Sequence, residues 1–125
     1  MSKLADWIEE RRKLRHVKGK DMIVLGDFNI PSENSSLFDA ITKNNLHTHS
    51  AILGKKGTNL KRDKRYDQIF YHKKYAKKIE KAGSVDFYQG DHHALYPFPE
   101  FSMTKEKFTY QISDHLPLWI QLNIE

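Results

Sequence analysis

The sequence lacks several features that define whole classes of protein. It has no cysteine, which excludes disulfide bonds, thiolate metal sites and a cysteine nucleophile. It has no hydrophobic run near the roughly 20 residues that a membrane-spanning helix needs, and the opening segment MSKLADWIEERRK has no apolar signal-peptide core. We therefore expect no membrane partner, and these absences favour an intracellular protein.

Basic residues are what the sequence has in excess. Lys and Arg number 21 against 16 Asp and Glu, which gives a net charge of +5. This balance fits an anionic partner such as nucleic acid or a phosphorylated small molecule, and it fits simple solubility equally well. A chain of 125 residues with 38% hydrophobic content can bury one core, so we expect a single domain over residues 1–125.

The order of the apolar residues predicts a mixed α/β fold. Leu4, Trp7 and Ile8 recur at helical spacing, so an amphipathic helix should open the chain. The run DMIVLGDF has few polar breaks and predicts a central strand covered on both faces. A short helix capped by Ser35 or Ser36 should follow. The later pattern predicts a surface loop at AILGKKGTNLKRDK, a strand at YDQIFYH, and a strand pair or a strand and turn at KKIEKAGSVDFYQ. It also predicts an irregular segment at GDHHALYPFPEF and a closing strand at PLWIQLNIE.

Two polar residues, Asp27 and Asn29, come directly after the first apolar run. In an extended chain, residues two apart point to the same face, so both side chains should leave the end of the strand on one side. A carboxylate beside a carboxamide offers hard oxygen ligands for a divalent cation such as Mg²⁺, or a means of holding a water molecule. An ordinary turn explains the same residues and, for this motif alone, is the better account.

Two further motifs place ionisable residues at strands. Asp114 and His115 stand just before the closing strand, where the carboxylate can bind a metal and the imidazole can donate to a phosphate oxygen. A turn with a surface histidine is the simpler alternative. Asp67 lies among aromatic and aliphatic neighbours, where a buried carboxylate is costly unless it is paired. His115 would be a suitable partner, and a surface salt bridge with Arg65 or Lys64 is the alternative.

Taken together and in this order, the motifs resemble those of the endonuclease/exonuclease/phosphatase family, the deoxyribonuclease I-like metal-dependent phosphoesterases. The matching stretches are GDFN at residues 26–29, RYDQIF at 65–70 and SDHLPL at 113–118. The resemblance implies the C-terminal half of that family's four-layer α/β/β/α sandwich, with a mixed, mostly antiparallel sheet and helices on one face.

The resemblance also implies a role for each motif residue. Asp27 would orient and deprotonate the attacking water, and Asn29 would hold the water or a phosphate oxygen. Asp67 would orient His115, which would stabilise the charge of the transition state. Asp114, together with Asp27, would serve a Mg²⁺ or Mn²⁺ site. The implied reaction is phosphoester hydrolysis by a nuclease or phosphatase.

Parts of the family pattern are missing from the sequence. The early strand that carries an Asn and the next strand, which carries the principal metal-binding Glu, have no counterpart here. We therefore expect little or no activity from this chain alone, and a homodimer that covers the exposed face of the half-sandwich. The alternatives from other classes are a non-catalytic module that binds nucleic acid or phosphate, and a structural homodimer without a ligand.

Overall fold

Antiparallel strands and short helices make up a mixed α/β fold, which confirms the predicted fold class at this level. The structure, a computed structural model, describes residues 1–16, 18, 21–53, 57–86 and 104–125, with only the backbone of Lys105. The elements are α1 (Ser2–Lys13), β1 (Ile23–Asp27), α2 (Ser36–Thr42), β2 (Leu46–His47), α3 (Ser50–Leu53), β3 (Asp67–His72), a 3-10 helix (Lys73–Lys78), β4 (Ile79–Ser84), α4 (Lys105–Gln111) and β5 (Leu118–Leu122).

The strand β3 lies at the centre of a three-stranded sheet in the order β1-β3-β2. The predicted alternation along this strand is observed: Phe70 packs into the helical layer, whereas Ile69 and Tyr71 project from the opposite face. All three side chains are buried. β4 and β5 form a second, two-stranded antiparallel sheet, so the closing strand is also confirmed.

The strand β1 differs from its prediction. Within the described part of the chain it pairs only with β3, and its outer face leaves Ile23 at 42% and Leu25 at 70% exposure. The prediction of a central strand covered on both faces is therefore wrong for these residues. An unbroken apolar run shows that both faces are apolar, but it carries no information on whether a second layer is present.

The hydrophobic core lies between the three-stranded sheet and the helices α1 and α2. Ala5 and Ile8 of α1 and Ile41 of α2 pack with Phe28 and Phe70 from the sheet side. The rings of Phe28 and Phe70 meet edge to face at a centroid distance of 5.4 Å. This layer holds one face of the sheet in place and leaves the other face for the site residues described below.

Helix starts follow the side chains that can cap them. Ser35 caps α2 as predicted, because its hydroxyl accepts a hydrogen bond from the Phe38 amide at 3.2 Å. The helix α4 was not predicted. It begins after Thr104, whose hydroxyl accepts from the Lys107 amide at 3.3 Å, and it buries Phe108.

Two further expectations concern the proline-containing segment and membrane-spanning helices. The irregular segment predicted at GDHHALYPFPEF lies outside the described residues. Among the helices that are described, none is both long enough and apolar enough to cross a membrane.

Candidate metal and phosphate site

Asp27 and Asp67 face each other across the last residue pair of the β1–β3 ladder. They share the sheet face that carries Leu25 and Ile69, the next residue pair on that face. Directly opposed side chains in an antiparallel pair lie close together, and two like charges in that position repel each other. The two carboxylates therefore need a positive group or hydrogen-bond donors nearby.

His115 supplies such a donor to Asp67. Its Nδ1 lies 2.7 Å from Asp67 Oδ2, and the two side chains are 32% and 22% exposed. The Tyr66 ring stacks against the imidazole at a centroid distance of 6.2 Å. The structure thus brings together Asp67 and His115, two residues that are 48 positions apart in the sequence and that belong to different motifs.

The carboxylates change the proton affinity of His115. Burial of the ring lowers its pKa, but the hydrogen bond and charge of Asp67, with the charges of Asp114 and Asp27, outweigh that effect. The pKa of His115 therefore lies above its ordinary value. A partly buried imidazolium beside carboxylates is suited to donating a hydrogen bond to an anionic oxygen.

Asn29 does not continue the strand. Its backbone is left-handed, with φ of 52°, and its amide donates a hydrogen bond to Asp27 Oδ1 at 2.9 Å. The argument for a shared face assumed an extended chain through this residue and is wrong, whereas the ordinary turn that the sequence favoured for this motif alone is confirmed. Asp27 and Asn29 form a local turn of the kind that Asx side chains favour, so strand alternation does not place their two side chains on one face.

Asp114 occupies the turn that leads to His115. The Ser113 hydroxyl accepts a hydrogen bond from the His115 amide at 2.9 Å, which closes this turn. Asp114 is 79% exposed, and its Oδ1 lies 4.0 Å from His115 Nε2. The carboxylate therefore stands beside the imidazole nitrogen that faces away from Asp67.

Three of these residues form a possible binding group for a divalent cation. One ligand atom each from Asp27, Asp67 and His115 can be chosen so that all lie within 4.8 Å of one another, and Asp114 is outside this group. Oδ1 of Asp27 accepts from the Asn29 amide, and Oδ2 of Asp67 is bonded to His115. The second oxygen of each carboxylate is the remaining donor, and carboxylate oxygens are the ligands that Mg²⁺ and Mn²⁺ prefer.

The sequence analysis missed Thr58. It treated residues 51–64 as a surface loop, yet Gly57 and Thr58 are buried, and the Thr58 hydroxyl donates to Asp67 Oδ2 at 2.7 Å. The prediction of a surface loop is wrong at these two residues and also at residues 51–53, which belong to α3 and include the buried Ile52. Composition could not have shown this contact, because a glycine- and lysine-rich segment has the same composition whether or not one threonine packs beneath a strand.

An open cleft of about 830 Å³ borders this group at His115. Its lining includes the lysines and tyrosines of two neighbouring segments together with the Asp114–His115 turn: Lys61, Lys64, Tyr66, Tyr110, Asp114 and His115. A cleft of this size takes a ligand much larger than a single phosphate ion. The site is thus accessible from solvent on the His115 side.

Comparisons of the chain with protein-family models, with curated proteins and with solved structures found no significant match.

Proposed function

We propose that this chain carries part of the catalytic site of a metal-dependent phosphoester hydrolase, a nuclease or phosphatase of the endonuclease/exonuclease/phosphatase type. The observation that supports this most is the convergence of three separate motifs. Asp27, Asp67 and His115 come from distant parts of the sequence, and their donor atoms meet within 4.8 Å at the end of one sheet face.

The proposed roles follow from the contacts. Asp67 holds the His115 ring through Nδ1, which leaves Nε2 to donate to a phosphate oxygen. Asp27 lies across the ladder from Asp67, where its free oxygen can accept a proton from a water molecule. Asn29 fixes the orientation of the Asp27 carboxylate through its backbone amide. Whether the Asn29 side chain also contacts substrate stays a prediction.

A bound Mg²⁺ or Mn²⁺ would supply charge neutralisation for the phosphate and a more acidic water molecule. Asp27 and Asp114 are the proposed carboxylate ligands, and both side chains are exposed to solvent. Asp67 is bonded to His115, and Asp114, which lies outside the group of donor atoms that meet within 4.8 Å, would have to move closer when the metal binds. A further ligand would come from the second half of the domain, which agrees with the expected low activity of this chain alone.

The finer fold proposal is half of a four-layer sandwich. It is supported by the open face of β1, where Leu25 is 70% exposed, and by an apolar cleft of about 380 Å³ between Leu25, Ile112 and Leu118. Soluble monomers seldom leave such a surface uncovered. In the isolated chain, we propose that a second copy covers it.

The first test combines metal binding with turnover. Mn²⁺ would be titrated into the ¹⁵N-labelled chain, and hydrolysis of a generic phosphodiester and of plasmid DNA would be followed with Mg²⁺, Mn²⁺ or EDTA. We expect paramagnetic broadening centred on residues 27, 114 and 115, with little or no turnover. Asp27→Ala should weaken the broadening, and Asp21→Ala, which changes an exposed carboxylate two residues before the start of the same strand, is the matched control.

Each result separates the candidate functions. Metal-dependent turnover that is lost in Asp27→Ala and His115→Ala would confirm the activity and contradict the expectation of an inactive half. Broadening without turnover would support a site completed by the other half of a longer protein. No broadening near Asp27, together with oligonucleotide binding that falls steeply with salt and ignores Mg²⁺, would favour the non-catalytic binding module.

A further inference from the structure

Thr58 is a buried residue that contacts Asp67 and the segment that carries His115. Its side chain reaches Asp67, and its backbone reaches the residue that follows His115. Thr58 is 1% exposed, which is far below the exposure of either partner. A polar residue that is buried this completely must satisfy its hydrogen bonds internally, so its contacts define how the surrounding groups are held.

Two groups of Asp67, the backbone amide and the carboxylate, fix the direction of the Thr58 hydroxyl. The Asp67 backbone amide can only donate, and it donates to Thr58 Oγ1 at 3.2 Å. The hydroxyl proton is therefore directed at the Asp67 carboxylate, where Oγ1 lies 2.7 Å from Oδ2. Thr58 and His115 Nδ1 thus meet the same carboxylate oxygen.

The backbone of Thr58 aligns the segment that carries His115. The Thr58 carbonyl accepts a hydrogen bond from the Leu116 amide at 2.7 Å, and Asn59 and His115 form an antiparallel bridge. Thr58 therefore links the strand that bears Asp67 to the segment that bears His115. Thr58 thus contributes to the relative placement of the two groups, beside the Asn59–His115 bridge.

The loop around Thr58 is itself tightly held. The Thr58 amide donates to the Lys64 carbonyl at 2.7 Å, and Asn59 Oδ1 accepts from the amides of Asp63 and Lys64. At Gly57, an added Cβ would lie 2.2 Å from the Lys64 carbonyl oxygen, so no side chain fits there without moving the backbone. A loop with this little freedom can fix the position of the hydroxyl that it presents.

We propose that Thr58 is a positioning residue, whose hydroxyl holds the Asp67 carboxylate in the orientation that binds His115 Nδ1. A role of Thr58 in catalysis rests on the proposed function, whereas the hydrogen bond between Thr58 and Asp67 does not. Without the hydroxyl, the carboxylate can rotate away from the imidazole, because Oδ2 loses one of its two donors. Thr58 does not contact the cleft or a reacting atom, and it acts through Asp67.

The test follows the ring proton on His115 Nδ1 by NMR, assigned by its absence in His115→Gln. We expect this proton to exchange with water roughly three to ten times faster in Thr58→Val than in the native chain, the factor that corresponds to one net hydrogen bond. Thr58→Ser keeps the hydroxyl and should restore slow exchange. Thr42→Val, which removes a hydroxyl bonded to the Phe38 carbonyl at 2.8 Å, is the matched control.

The Leu116 amide separates positioning from general loosening. It bonds to the Thr58 carbonyl, which Val retains, so its exchange should not change in Thr58→Val. Unchanged ring-proton exchange in Thr58→Val, when Asp67→Asn accelerates it, would overturn the proposal. The proposal would also be overturned if Thr58→Val and Thr58→Ala both failed to fold while Thr58→Ser folded, because the hydroxyl would then be required for folding. If Asp67→Asn also has no effect, the Asp67–His115 pair of the proposed function fails as well.

Discussion

The two faces of the three-stranded sheet are used differently. On the helix-facing side, Phe70 is fully buried beneath α1 and α2. On the opposite side, one residue away along the neighbouring strand, Leu25 is 70% exposed and Asp27 begins the candidate site. Strand alternation thus separates two tasks: one face supplies most of the packing, and the other presents polar groups to solvent.

The open face is not uniform. Ile69 and Tyr71 of β3 are 7% and 3% exposed, whereas their ladder partners Leu25 and Ile23 on β1 are 70% and 42% exposed. On this face, the side chains of β3 are therefore covered and those of β1 are not. The cleft lined by Leu25 and Ile69 is also lined by Asp67 and His115. Any second layer that covers β1 would border the candidate site, so the two features can be tested together.

The largest expected effect is on the helix-facing side. Phe70→Ala should lower the free energy of unfolding by about 3–5 kcal/mol, because it removes a fully buried ring and leaves a cavity between the sheet and α2. Chemical denaturation of the variant against the native chain measures this loss. Leu25→Ala, on the open face, is the comparison and should change the free energy by far less. Equal losses at the two positions would show that the open face is covered in solution.

An intermediate and pH-dependent effect is expected from the polar pair. Asp67→Asn should lower the pKa of His115, because the variant removes the hydrogen bond and charge that raise it against the effect of burial. NMR titration of the ring measures this shift directly. Thr58→Ser, which keeps the Asp67 carboxylate, is the control and should leave the pKa above 6.5.

The sign of the stability effect follows from the raised pKa. The folded state binds the His115 proton more tightly than the unfolded chain does, so the pair stabilises the fold fully below the unfolded pKa near 6.5. This contribution is lost as the pH rises through the higher, folded pKa. The gap in unfolding free energy between the native chain and Asp67→Asn should therefore narrow from mildly acidic to alkaline pH. A gap that widens over this range would contradict the assignment.

Local patterns predicted the elements in which one feature dominates. The alternation in YDQIFYH and PLWIQLNIE predicted β3 and β5, and Ser35 predicted the start of α2. The helix α4 was missed because, among its described side chains, Phe108 is the one that is both buried and apolar, which is too little for a visible period. A turn after Asp27 was the favoured alternative for that motif alone, but its left-handed backbone at Asn29 was not predicted, because a strand pattern carries no signal for where the extended backbone stops.

The candidate site shows a similar limit. The sequence analysis identified Asp27, Asp67 and His115, since ionisable residues beside apolar segments can be recognised in a sequence without a structure. It could not name Thr58, because the contact of Thr58 with Asp67 depends on how a loop folds back beneath a strand. It also could not show that Asp114 is 79% exposed, because the exposure of a residue in a turn depends on the elements that surround the turn.

The smallest expected change in the stability of one copy is at the edge of the open face. Leu25→Lys should alter the unfolding free energy of a single copy by no more than about 0.5 kcal/mol, since this side chain is 70% exposed.

The effect of Leu25→Lys on association should be large, because a lysine at the centre of an apolar contact would be desolvated without a partner. We expect sedimentation velocity to show a dimer for the native chain and a monomer for Leu25→Lys. Leu37→Lys, which changes a 41% exposed side chain on α2 at the helix-facing side, is the control and should remain dimeric. A native chain that sediments as a monomer would contradict the second copy. The face beside Asp27 would then be open to a second half of the domain, or to another protein, and the metal titration could be repeated with that partner present.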